Sequence, residues 1–180
     1  MHFLKRTTST AVALAALVGT AALAGASPAA AADYRCTTST KSIDDPSYSG
    51  PWADNWNVTV RLCARHSGST VSTYAKINWD GPVYSRADDR SIFDGAYFTL
   101  QVKKSVSGTD PVKKSVRYYG IESRLENSTS NGNYNNSYTT PVLSSTISSG
   151  KGLADGELHL DWNSDGRSYW KYQFSASPAV

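Results

Sequence analysis

The sequence predicts an all-β protein, a single-domain β-sandwich of about seven strands behind a leader and an irregular N-terminal arm. Three observations predict it. Apolar and polar residues alternate with a period of two in several runs, clusters of Gly, Pro, Asx and Ser separate those runs, and no window of about 12 residues carries a helical stripe.

The first 32 residues are set apart from the fold. Lys5 and Arg6 precede an uncharged run of small and apolar residues from Ala11 to Ala24, and Ala30-x-Ala32 offers small side chains to signal peptidase. This reads as a signal peptide over residues 1–32, with an apolar run short for a membrane span. No second apolar run of about 18 residues follows, so the product is expected to be secreted, extracellular and without a membrane anchor. Cleavage removes Lys5 and Arg6 and no acid, which lowers the formal charge from +3 to +1. That near-neutral balance argues against nucleic acid or an anionic membrane as the principal partner, and residues 33–180 suit one hydrophobic core.

Residues 33–54 show no sustained periodicity. They hold Cys36, Asp44-Asp45-Pro46 and Ser49-Gly50-Pro51, and read as an irregular arm. The sandwich is expected over residues 55–180. Trp56, Val58, Val60, Leu62 and Ala64 alternate with polar neighbours, as do Val71, Thr73, Ala75, Ile77 and Trp79, and then Ala96, Phe98, Leu100 and Val102. Val112 to Ile121 reads as a strand, Tyr138 to Ile147 as a weaker one interrupted by Pro141, and Glu157 to Trp162 with Ser168 to Ser175 as a hairpin. Glu122 to Ser137, rich in Asn and Ser, reads as a long polar loop.

The two cysteines, Cys36 and Cys63, are expected to form one disulfide that tethers the arm. In an exported chain such a staple outweighs a catalytic thiol, because Cys63 has no Cys-x-x-Cys partner. Closing that loop stabilises by about 3 kcal/mol on the chain-entropy picture.

No catalytic motif is visible, and no enzyme is expected. His66 falls in a turn and His159 in a strand, and neither lies in a nucleophile elbow, a zinc-protease pair or a deaminase pattern. No cofactor is expected. Asp161, Asn163 and Asp165 have the spacing that opens an EF-hand calcium loop, but the twelfth position is Tyr172 instead of a bidentate Glu. A hairpin turn, Asn163-Ser164-Asp165-Gly166, explains the same residues better. Trp56 and Trp79 sit in apolar phase and belong to the core, which leaves Trp52, Tyr134 and Tyr138 as the candidate partner-binding aromatics. The pairs Lys103-Lys104 and Lys113-Lys114 fall near strand ends, where lysine protects a sheet edge or meets an acidic partner.

The Asn55-Trp-Asn-Val-Thr-Val-Arg-Leu-Cys63 strand, the Tyr74-Ala-Lys-Ile-Asn-Trp79 strand, the Asn/Ser loop and the end Ser175-Ala-Ser-Pro-Ala-Val180 resemble small secreted proteins of filamentous actinobacteria. Among these the layout is most similar to the adaptor subunits of umbrella toxin particles. The resemblance implies a non-enzymatic adaptor joining a large secreted toxin subunit to lectin-type subunits, in antagonism between bacteria, with the arm at residues 33–54 engaging a partner. Two other classes compete with that adaptor. A secreted protease inhibitor would present the Asn-rich loop, although no cysteine flanks it, and a carbohydrate-binding module would line up coplanar exposed rings on one sheet face.

Overall fold

The structure is a computed structural model that describes residues 33–46, 48–51, 54–82, 92–128, 135–163 and 165–180. Ala31–Val180 make up one compact unit. The described residues form nine strands: β1 Arg35–Ile43, β2 Trp56–Ser67, β3 Thr70–Asp80, β4 Phe93–Ser105, β5 Val112–Tyr118, β6 Asn135–Thr139, β7 Leu143–Thr146, β8 Lys151–Trp162 and β9 Trp170–Gln173. A 3-10 turn at Tyr119–Ile121 leads into a four-residue helix, α1, at Glu122–Leu125.

The strands form two antiparallel sheets. One runs β1-β2-β3-β6, with β7 also paired to β3, and the other runs β5-β4-β8-β9. The sheets pack face to face because each strand keeps its apolar set on one side. Trp56, Val58, Val60, Leu62 and Ala64 of β2 are buried, and so are Val71, Ala75, Ile77 and Trp79 of β3. From the other sheet Ala96, Phe98, Leu100 and Val102 of β4 meet them, with Leu158, Leu160 and Trp162 of β8. Each buried Val, Leu, Ile or Phe among them contributes about 1.5–3 kcal/mol through removal from water. The all-β sandwich expected from alternation is therefore the observed fold.

The strands of both sheets share two ends. At the turn end, β2 passes into β3 through Gly68, whose φ of 59° suits the tight reversal, and Ser67 faces Thr70. The end of β4 and the start of β8 lie here too, with Ser105 opposite Lys151. A Cβ on Gly152 would come within 2.7 Å of Val71 and Ile147, which fixes the two sheets together at this end. At the tryptophan end Ile43 faces Trp56 and Phe93 faces Trp162, and the Phe93 ring lies 6.0 Å from Trp56 and 4.7 Å from Trp162.

Several local expectations change. The segment read as an irregular arm is largely a strand: β1 pairs with β2 along its length, from Arg35 opposite Ala64 to Ile43 opposite Trp56. Its residues lack alternation because β1 is an edge strand, mostly exposed, held by backbone pairing and by polar cross-strand contacts such as Thr40 Oγ1 to Thr59 Oγ1 at 2.8 Å. The tether is as expected, since Cys36 and Cys63 are register partners joined by a disulfide. Such a bond fits an oxidising compartment. The strand read to Ile121 stops at Tyr118, where the 3-10 turn begins. The polar loop from Glu122 holds α1 at its start, whose Leu125 is buried, and ends in β6. The weak strand around Pro141 is two short strands, both paired to β3, because proline cannot continue the ladder. Among the described residues no helix is long and apolar enough to cross a membrane.

Candidate functional site

Alternation that sends Ala96, Phe98 and Leu100 of β4 into the core sends Tyr97, Thr99 and Gln101 to the opposite face. On β8 the same phase places Leu158 and Leu160 inside and Glu157 and His159 outside. The register sets Tyr97 opposite His159 and Thr99 opposite both Arg117 of β5 and Glu157. His159 lies opposite Lys171 of β9. The outer face of this sheet thus gathers aromatic and charged side chains from all four strands.

Tyr97 is the centre. The His159 ring stacks on it with centroids 4.4 Å apart and planes 14° from parallel, and the Arg117 guanidinium lies 5.0 Å from the ring centroid. Arg117 on β5 and His159 on β8 flank β4, so Tyr97 is held between a cation and an imidazole. Two further tyrosines stand at the rim. Tyr119 leaves the end of β5 with its ring 5.3 Å from Tyr97, and Tyr169 precedes β9 with its ring 4.9 Å away. Tyr97 is only 7% exposed, whereas Tyr119 is 56% and Tyr169 39% exposed, so the patch has a fixed floor and accessible walls. Gly95 makes room for Tyr169, because a Cβ there would collide with the Tyr169 hydroxyl.

The electrostatics follow from this packing. A hydrogen bond with Tyr119, aided by the Tyr97 and Tyr119 hydroxyls, raises the Arg117 pKa, so the guanidinium stays charged. Burial lowers the pKa of His159, and the Glu157 carboxylate, 3.2 Å from Nε2, opposes that shift only in part. Burial and the neighbouring Asp161 raise the pKa of Tyr169. The patch therefore keeps Arg117 as a cation and Tyr169 as a neutral phenol able to donate a hydrogen bond.

The residues singled out from sequence are distributed elsewhere. Trp52 and Tyr134 lie outside the described residues. Tyr138, on β6, is half-buried against the core, and its hydroxyl is placed so close to Gly120 that a Cβ there would lie 3.3 Å from it. Asp161 lies on β8 with its pKa raised by burial and by Asp94 and Asp165. Asp165 serves the turn: Oδ1 accepts the Arg167 amide and Oδ2 the Trp170 indole N–H, each at 2.8 Å. The Asn163 amide donates to the Ile92 carbonyl at 3.0 Å. The described residues contain no group of three or more His, Cys, Asp or Glu arranged to hold a metal ion. Of the histidines, His159 joins the tyrosine face and His66 lies at the turn end.

A second concavity, of about 420 Å³, opens between the end of β1 and β9 and is lined by Ile43, Pro46, Trp170 and Tyr172 with Ser42 and Asp44. It is an open flank where two edge strands leave the core partly uncovered. The chain matches no family model, no curated protein and no solved structure.

Sequence reasoning passed over Tyr97, Tyr119 and Tyr169, and read Arg117 only as part of a basic run with Lys113 and Lys114 near a strand end. The signal for Tyr97 was present, since an aromatic between two core-facing residues must project outward. Tyr119 and Tyr169 carry no such signal, because both lie just outside strands and reach the patch only through the pairing of β5, β4, β8 and β9.

Proposed function

We propose that the domain is a secreted, non-enzymatic protein–protein interaction module, acting as an adaptor in a secreted antibacterial toxin complex. The observation that carries the binding reading is the tyrosine face. Tyrosine and arginine concentrate at interface hot spots because they bring large, rigid contact area together with hydrogen-bonding tips. Here Tyr97 and Arg117 stand on strands whose register fixes them, and Tyr119 and Tyr169 pack against Tyr97, so little ordering entropy is lost when a partner docks. The adaptor role itself rests on the resemblance of layout to toxin-particle adaptors. The planes of Tyr119 and Tyr169 lie 51° and 58° from that of Tyr97, a broken surface that suits a protein partner better than the flat platform on which a sugar ring stacks.

The test is capture of the tagged mature protein from the culture supernatant of its producer, followed by mass spectrometry. Large secreted toxin and lectin-type subunits should be recovered, and a Tyr119→Ala/Tyr169→Ala variant should lose one of them while keeping its melting temperature. Recovery of the domain alone would refute the adaptor; recovery untouched by the double substitution would remove the tyrosine face from it.

A further inference from the structure

The small net charge conceals a separation of charge between the two ends of the sandwich. At the turn end stand Arg35 at the start of β1, Arg65 near the end of β2, Lys104 near the end of β4, Lys113 and Lys114 on β5, and Lys151 at the start of β8. At the tryptophan end stand Asp44 beyond β1, Asp80 at the end of β3, Asp94 on β4, Asp161 on β8, Asp165 in the turn after it, and Glu122 of α1, against the two cations Arg124 of α1 and Arg167 of that turn. Three acids at the turn end offset only part of this charge. Asp155 is paired with Lys103, Asp110 Oδ1 accepts the Val106 amide at 2.9 Å, and Asp33 sits beside Arg35 and Lys151.

Lys104 and Lys113 converge on a depression of about 90 Å³ that Thr146, Ser148 and Ser149 supply with hydroxyls. Lys104 Nζ reaches Ser149 Oγ at 3.5 Å and Lys114 Nζ donates to the Ser144 carbonyl at 3.2 Å. Among the described residues none of Lys104, Lys113, Lys114 and Lys151 takes part in an ion pair. Beside them Val106 is 43% and Val112 48% exposed. Protection of the β5 edge accounts for Lys113 and Lys114 on that strand. It does not account for Lys104 and Lys151, which lie on the inner strands β4 and β8.

We propose that the turn end is a second docking surface, for an acidic segment of a partner protein, with the lysines meeting its carboxylates and Val106 and Val112 its apolar side chains. A protein segment fits better than nucleic acid. Single strands dock on exposed aromatic rings, whereas the large apolar groups exposed at this end are valines; the exposed rings of Tyr119 and Tyr169 belong to the other face. Since this surface and the tyrosine face are separate, one molecule can hold two partners at once. The docking proposal stands or falls independently of the tyrosine face.

The experiment is fluorescence anisotropy of a labelled ten-residue peptide rich in Glu with two Leu, titrated with the mature protein at low and at physiological salt. Binding should weaken as salt rises, because exposed charges are screened over about 8–10 Å. Lys104→Glu/Lys113→Glu/Lys151→Glu should bind at least tenfold more weakly, and Tyr119→Ala/Tyr169→Ala should bind as the parent does. If charge reversal disturbs the melting curve, Lys104→Gln/Lys113→Gln/Lys151→Gln takes its place, with a loss of several-fold expected. Equal affinity in the lysine variants overturns the proposal. So does tighter binding of a single-stranded oligonucleotide of matching charge, which would assign the surface to nucleic acid.

Discussion

Removing the Cys36–Cys63 bond by a double Cys36→Ala/Cys63→Ala substitution should lower stability without changing the fold. The bridged residues are 27 apart in sequence, and releasing a loop of that size returns about 12 cal/mol/K to the unfolded chain, or about 3.5 kcal/mol at 25 °C. For a domain near 150 residues each kcal/mol moves the melting point by about 2–4 °C, so a fall of about 10 °C is expected. The loss should be uneven. β1 is an edge strand whose side chains bury little apart from Ile43, so its amides should lose protection from hydrogen exchange first, while β3 and β4 keep theirs. Differential scanning calorimetry of the parent, the reduced parent and the double variant checks the magnitude, with the last two expected to agree. A shift below about 2 °C, or β1 amides protected as well as those of β3, would refute the reasoning that the bond adds to the pairing that holds this strand.

Three more outcomes follow from buried geometry. Gly156→Ala would place a Cβ 2.6 Å from Phe98 Cζ and 3.1 Å from Leu62 Cδ2, both fully buried, and should cost about 1–3 kcal/mol in urea denaturation. Trp79→Phe removes the buried indole N–H that donates to Ser128 Oγ at 2.8 Å and should cost about 1–2 kcal/mol by the same assay. His159 has a folded pKa below its ordinary value of 6.5, so the unfolded chain takes up its proton first, and stability falls as pH drops below 6.5 toward the folded pKa. Measured between pH 7.5 and 5.5, His159→Gln should lose less stability than the parent, and equal losses would contradict the assignment.

The strands that face a core on one side were legible, because a half-buried strand must alternate. β2, β3 and β4 do so through residues such as Val58, Ala75 and Phe98. β1 was not, since Arg-Cys-Thr-Thr-Ser-Thr-Lys-Ser-Ile buries almost nothing, and its threonines were a signal of strand that periodicity does not register. The first half of β8 was hidden for a different reason: Gly152, Ala154 and Gly156 point inward as small residues because Val71, Ile147, Phe98 and Leu62 already fill the space. The turn at Asp165 was readable from local chemistry alone. The tyrosine face was not, because it depends on registers between strands far apart in sequence, and the same holds for the two charged ends.

That charge separation has a practical consequence for handling the protein. If residues 1–32 are removed as the sequence leads one to expect, the net charge of +1 ought to let the chain pass through ion-exchange columns of either sign near neutral pH. A resin bead, however, meets one end of a molecule at a time. A cation exchanger can retain it by Lys104, Lys113 and Lys151, and an anion exchanger by Asp94 and Asp161, so its elution order among neutral proteins would betray an orientation that its isoelectric point conceals.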